Sequence, residues 1–318
     1  HPLNQGGGLG NADVILGLEV WDLWGTLNLM RDQMDRTVTP RIRPQTRVVS
    51  ISTKDLYSKS NYQDFQRYPE VDMAIAADAE ATLPALIEAC RRRITPDRRR
   101  TLDERGRTLA ASKERALERL RQGAAYGWNS SPISNARVSA ELWNLIKDKD
   151  WASAGAESGL WDATRHYQLL GGGRAAGVGY HAPAALGAAL AHKKHGRFVV
   201  SRQNDGDLMY VPGTLWTAAH HRIPMLSVMR NNRAYHQEVM HLQRMANRYQ
   251  RGTTASSVNI GTKIEDPTID YAMLARSMGL FAEGPITDPN DLRPALTRAV
   301  EAVERGEVAL VDVVTQPR

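Results

Sequence analysis

The run from Phe198 to Asn232 constrains this chain more than any other stretch. Phe198-Val199-Val200 reads as a short buried strand leading toward Asp205-Gly206. Gly213 to His221 reads as a helix closed by Pro224, and Met225 to Met229 as a second apolar strand running into Arg230-Asn231-Asn232. Two strands joined through a helix lie parallel in one sheet. Both then carry polar residues at their carboxyl ends, the edge beyond which open α/β sheets place their ligands.

The chemistry follows from residue type. Asp205 offers a carboxylate at one strand end, and Asn232 offers an amide oxygen at the next. Hard cations such as Mg²⁺ take oxygen ligands and usually complete their shell with water and phosphate oxygens. Gly206 lacks the Cβ that would hold the backbone away from a phosphate, and the helix that follows is expected to offer free N–H groups to an anion. A magnesium-diphosphate group held between two strand ends suits this layout. Turn capping is the plainer role for an Asp and an Asn.

At these residues the chain resembles the thiamine-diphosphate-dependent enzymes, whose signature is Gly-Asp-Gly, a spacer and Asn-Asn. The likeness is greatest to the acetolactate synthase, benzoylformate decarboxylase and pyruvate decarboxylase branch. It rests on Leu215-Trp216-Thr217-Ala218-Ala219, the Ile223-Pro224 pair, Asn231-Asn232 and the segment from Ala176-Gly177-Val178-Gly179 to Leu186-Gly187. In one respect the chain departs from the signature. Asn204 stands for its first glycine, after Ser201-Arg202-Gln203 where the family is normally apolar. Asn tolerates positive φ, so the turn is expected to survive.

The resemblance implies thiamine diphosphate and Mg²⁺ as cofactors, with Asp205, Asn232 and the carbonyl of Ala234 as metal ligands. It brings Gly206 and Asp207 to the diphosphate, Asp207 through its backbone N–H, since its carboxylate is expected to turn to solvent or cap a helix. Val178 would sit under the cofactor and force its folded shape, with the Ala176 carbonyl and Gly177 beside it. His181 stands where close relatives have a small residue; it could handle a proton near neutral pH or serve as a hydrogen-bonded structural His. His236, Gln237 and Glu238 follow the metal loop, and a solvated helix face is their expected place. His220 and His221 end a helix and complement its negative end.

Composition bounds the alternatives. At 318 residues, with 42% hydrophobic and 24% charged residues, the chain has the make-up of a soluble globular protein of two domains. No apolar run reaches the roughly 18 residues of a membrane span. Part of the +6 net charge sits in Arg91-Arg92-Arg93 and Arg98-Arg99-Arg100, which read as solvated helix ends, with no nucleic-acid motif beside them. The single cysteine, Cys90, is expected to pack among apolar helix positions and agrees with a cytoplasmic location. The chain opens at His1 without an initiator Met, and the expectation is the interior of a longer protein.

The fold class expected is α/β with doubly wound parallel sheets: residues 1–95 part of a Rossmann-like central domain, 96–127 a basic helical linker, and 128–318 the diphosphate-binding domain. Val14 to Leu18 and Arg47 to Ser52 read as strands of the first part, and Ala76 to Ile94 as its helix. Gly6-Gly7-Gly8-Leu9-Gly10 has no strand before it, as a dinucleotide loop requires. Asn135 is read as the cap of a helix through Lys147, and Asp288 or Asn290 as the cap of one reaching Arg305.

The activity implied by the resemblance is decarboxylation or carboligation of a 2-oxo acid, with chemistry carried by the cofactor. The family's pyrimidine-binding domain, which supplies a Glu from a neighbouring subunit, has no counterpart here. A homodimer, a homotetramer or pairing with a chain that carries that domain is therefore expected. Two alternatives stand beside this. One is a non-catalytic cofactor-binding or regulatory subunit. The other is the cofactor subunit of a 2-oxo acid oxidoreductase, although one Cys cannot ligate the iron–sulfur cluster such subunits usually bring.

Overall fold

A computed structural model describes residues 8–20, 22–30, 37–54, 69–155, 160–170 and 178–317. The chain divides into two units, 1–110 and 111–318. Among the described residues no helix is long and apolar enough to cross a membrane.

The first unit holds β1 (Val14–Leu18), α1 (Leu23–Leu27), β2 (Asn28–Met30), β3 (Val38–Pro40), β4 (Arg47–Ile51), β5 (Met73–Ile75) and α2 (Ala79–Arg92). β1, β4 and β5 form a parallel sheet in that order, while β2 and β3 pair antiparallel. Asp78 caps α2, accepting from the Ala81 N–H at 2.9 Å. Cys90, expected among packed apolar positions, is instead exposed. The two positions that follow it in α2 are Arg91 and Arg92, also exposed, so the helix end around it is solvated. The stretch read as a linker is one long helix, α3 (Pro96–Ala125), and the two units divide within it.

The second unit contains α4 (Asn135–Ile146), β6 (Trp151–Ala154), β7 (Leu169–Leu170), α5 (His181–Lys193), β8 (Phe198–Asn204), α6 (Asp205–Leu208) and α7 (Gly213–His220). It continues through β9 (Met225–Asn231), α8 (His236–Arg248), α9 (Ala255–Asn259), α10 (Tyr271–Ser277), β10 (Phe281–Ile286), α11 (Pro289–Glu304) and β11 (Val308–Val314). Its six strands run parallel in the order β10-β11-β9-β8-β6-β7.

Strand side chains alternate between the two faces of this sheet, and each face has its own core. On one, Leu226 and Val228 of β9 and Val311 and Val313 of β11 pack with Leu142 and Ile146 of α4 and Leu292 and Leu296 of α11. On the other, Val199, Met225, Met229 and Leu310 pack with Ala185 of α5, Leu215 of α7 and Ala272 of α10. This is the doubly wound α/β architecture, buried on both faces as all-parallel sheets are.

Two caps refine the sequence reading. Ser134 caps α4, its hydroxyl accepting from Arg137 N–H at 3.2 Å, and Asn135 is the first helical residue. Asp288 caps α11 through the Asn290 N–H at 2.8 Å.

The edge strand β10 approaches β11 closely at Gly284. Its φ is +128°, and a Cβ there would lie 2.5 Å from the Asp312 backbone oxygen. Gly284→Ala is therefore expected to cost about 2 kcal/mol or more, seen as a lower midpoint in urea denaturation. An unchanged midpoint would contradict this tight approach.

Candidate functional site

Beyond the carboxyl ends of β8 and β9 lies a cleft of about 290 Å³. Asp205, Gly206, Asp207, Asn232, Ala234, Val178 and His181 all line it, although they come from three separated stretches of chain. Ala176 and Gly177 lie outside the described residues.

Asp205 follows β8 directly and is 1% exposed. Its Oδ1 accepts from the Gly206 N–H at 2.9 Å and its Oδ2 from the Ala234 N–H at 3.3 Å. The same Ala234 N–H lies 3.1 Å from Asn232 Oδ1. One backbone N–H thus gathers the oxygens of both strand tips. Arg233 and Tyr235 make the hydrogen bonds of a short antiparallel bridge, Ile264 N–H to Arg233 O at 2.8 Å and Tyr235 N–H to Thr262 O at 2.7 Å. Ala234, between them, is left with its N–H and carbonyl on the opposite edge, toward Asp205. Arg233 takes a positive φ of 57° to make this turn.

Burial raises the Asp205 carboxyl above its ordinary range, and backbone N–H bonds from Gly206, Arg233 and Ala234 oppose that only in part. A cation at this point would relieve the cost of the buried charge. A carboxylate, an amide oxygen and a backbone carbonyl form a set for a hard, oxygen-seeking ion. Among the described residues no group of three or more His, Cys, Asp or Glu is placed to hold a metal ion.

A layer behind steadies this loop. Asn231 turns away from Asn232, and its Nδ2 donates to Asp312 Oδ1 at 3.1 Å while its Oδ1 accepts from Arg233 N–H at 3.3 Å. Burial pushes the Asp312 carboxyl up to about 6 against the hydrogen bonds from Asn231 and from the Tyr271 N–H.

Three sequence expectations change here. Asn204 sits at φ −93°, ψ 147°, as the extended last residue of β8, so no positive φ is asked of it. Its side-chain oxygen accepts from Arg230 Nη2 at 2.7 Å. A Cβ on Gly206 would meet the Tyr235 ring at 2.5 Å, so in this fold the small residue makes room for an aromatic ring. The helix after Gly206 is the four-residue α6, whose Gly206 N–H already bonds to Asp205; α7, expected to offer N–H groups, begins at Gly213, which does not line the cleft.

Asp207 turns neither to solvent nor onto its own helix. Its carboxylate accepts from Gly179 N–H at 2.6 Å and His181 N–H at 3.2 Å, at the start of α5. α5 has no side-chain cap of its own, so Asp207 caps it from across the cleft, where the helix dipole favours an anion. Gln203 Nε2 adds a bond at 2.9 Å, and His181 Nδ1 lies 3.3 Å away. Burial alone would raise this carboxyl, but the bonds from His181, Gly179 and Gln203 win and hold it at about 2. With Asp207 ionised, Nδ1 of His181 carries the proton of their contact.

Val178 is 51% exposed at the cleft wall. His236, Gln237 and Glu238, expected on a solvated helix face, line the cleft at the start of α8, with Gln237 and Glu238 exposed. Sequence reasoning missed Arg230, Tyr235, Asn135 and Thr315, which also line it. A cation closing an otherwise apolar strand was the available signal for Arg230. Tyr235 offered none.

Comparison with known proteins follows this geometry. Residues 154–313, half of the chain, match the family described as thiamine pyrophosphate enzyme, C-terminal TPP binding domain. The acetolactate-synthase-like large subunit IlvX of Mycobacterium tuberculosis is 34% identical over 131 residues, 41% of this chain and 23% of that protein. Among solved structures, the thiamine diphosphate-dependent 4-hydroxybenzoylformate decarboxylase of Rhodococcus jostii RHA1 superposes with a TM-score of 0.61 at 19% identity, covering 98% of this chain and 50% of its own. Benzoylformate decarboxylase from Polynucleobacter necessarius gives 0.58 at 14% identity, over 88% of this chain and 46% of its own. At such identities the two structures share the fold alone. This chain spans about half the length of each.

A carboxyl held low stabilises the fold above its unfolded value, and that contribution drains away as pH falls toward the folded value. Asp207→Asn is accordingly expected to cost about 2 kcal/mol at pH 7, with the deficit shrinking below about pH 4. Denaturation curves of both proteins across that range check it; a deficit that stays constant with pH would contradict the capping role.

Proposed function

The chain belongs to the thiamine pyrophosphate enzymes, and on that footing we propose that it binds thiamine diphosphate through Mg²⁺ and serves decarboxylation or carboligation of a 2-oxo acid in the acetolactate synthase manner. The carrying observation is the convergence of Asp205 Oδ2 and Asn232 Oδ1 on the Ala234 N–H. Asp205, Asn232 and the Ala234 carbonyl would hold the ion, and the ion would anchor the diphosphate. When bound, the cofactor supplies the electron sink that allows a bond beside a carbonyl to break or form.

The chain's own residues do the rest. The backbone at Gly206 and the Asp207 N–H would help hold the diphosphate, while the Asp207 carboxylate stays at the start of α5. Val178, apolar and at the wall, would support the cofactor, with Ala176 and Gly177 next to it in sequence. His181, its Nδ1 fixed by Asp207, presents Nε2 as a proton acceptor in the cleft. The substrate is a small 2-oxo acid whose remaining contacts come from a pyrimidine-binding domain outside these 318 residues, and the functional form is an oligomer.

Calorimetric titration tests the anchor. Thiamine diphosphate is expected to bind in the presence of Mg²⁺ and at least tenfold more weakly without it. Asp205→Asn is expected to erase the difference, and equal affinity with and without Mg²⁺ would refute the ligand assignment. Incompleteness has its own test. With cofactor and Mg²⁺ saturating, the chain alone is expected to show no turnover of pyruvate or benzoylformate, and ordinary decarboxylation by it would overturn the need for a second domain.

A further inference from the structure

The cleft is divided electrostatically, and only one half is accounted for by the proposed cofactor anchor. Asp205, Asp207 and Asp312 gather with α5 and α10 on one face of the sheet. The tips of three adjacent strands meet on the other face. Strand alternation carries the side of Leu226 and Val228 to Arg230, that of Phe198 and Val200 to Asn204, and that of Val311 and Val313 to Thr315. Asn204 and Arg230 are direct partners in register, and Val313 lies opposite Arg230 from the other side. Asn135, opening α4, covers this face, since Ile133 bridges Thr315 and Asn135 Nδ2 donates to Gln316 O at 3.2 Å.

The four side chains differ in how they are engaged. Arg230, 9% exposed, is oriented by its 2.7 Å bond to Asn204 and brings a fixed positive charge to the cleft. Thr315 is 2% exposed, lines the cleft, and its buried hydroxyl has no hydrogen-bond partner. The Oδ1 of Asn135 is likewise buried without a partner, while its amide nitrogen is committed to Gln316. Buried polar atoms in native folds are nearly always satisfied, so orphans at the wall of a cleft point to what enters it. Here the set asks for a group that accepts from a guanidinium and a hydroxyl and donates to an amide oxygen.

We propose that Arg230, Thr315 and Asn135 form an oxyanion subsite, and that its ligand is a small oxyanion carrying one O–H. Hydrogen phosphate and a 2-hydroxy carboxylate share this chemistry: charged oxygens for Arg230 and Thr315, a hydroxyl for Asn135. The subsite lies on the α4 face of the cleft that Asp205 and Asp207 also line, and it needs neither the cofactor nor the metal. Arg is suited to such a task because its charge is permanent and its donors are set in a plane.

The test titrates the chain without cofactor, at constant ionic strength, with sodium phosphate, lactate or pyruvate. Phosphate or lactate is expected to bind, and which of them does names the source. Pyruvate, which lacks the hydroxyl, is expected to bind at least tenfold more weakly than the better of the two. Arg230→Met is expected to lower affinity more than tenfold. The near-isosteric Thr315→Val is expected to lower it several-fold while keeping the wild-type melting temperature, which guards against a misfolded Arg230 variant. No binding of phosphate or lactate beyond that of chloride would overturn the subsite, as would unchanged affinity in both variants. Pyruvate binding as well as lactate would overturn the ligand class. A parallel titration with thiamine diphosphate and Mg²⁺ separates the two claims, because its failure alongside intact anion binding would refute the cofactor proposal and leave the subsite standing.

Discussion

A single backbone N–H organises the centre of this molecule. Ala234 offers it to Asp205 Oδ2 and Asn232 Oδ1 together, so two side chains from neighbouring strand tips face one point. A 1% exposed carboxylate is costly unless its charge is compensated, and burial has raised Asp205 accordingly. The fold spends several features on this point: the positive φ at Arg233, the Asn231–Asp312 bond behind it, and the antiparallel bridge to 262–264. The proposed cation is what would make sense of them electrostatically.

Asp207 and Arg230 show how residues unusual in sequence find local partners. Asp207 supplies the anionic N-terminal cap that α5 lacks and accepts from Nδ1 of His181 as well. Arg230 is matched by Asn204, the residue standing for the first glycine of the family signature. The two pairs lie on opposite faces of the sheet, one acidic and one basic. The chain therefore brings together the oxygens proposed to anchor a metal while carrying its own polar groups around them.

Much of this was legible beforehand, for definite reasons. Apolar runs such as Val308 to Val314 and Met225 to Met229 have one structural outcome when flanked by helical stretches, and the central sheet follows from them. Asp205, Asn232 and Ala234 were found because their spacing belongs to a recognisable signature and because the parallel sheet aligns successive strand ends. Other features depend on partners far away in sequence. Nothing near Gly206 announces that Tyr235 will fill the space beside it, and nothing near Asp207 announces that its carboxylate will reach α5. Asn204 was read through the conformational habits of asparagine, when its role is set by Arg230 across the register. Cys90 misled because helical periodicity shows which positions share a face but not whether another element covers that face.

Diffraction from crystals grown with thiamine diphosphate and Mn²⁺ in place of Mg²⁺, recorded at the manganese edge, tests the central claim most directly. An anomalous peak about 2.1 Å from Asp205 and Asn232 side-chain oxygens and from the Ala234 carbonyl is the expected result. A peak elsewhere in the cleft, or cofactor density with no metal between it and these three residues, would contradict it.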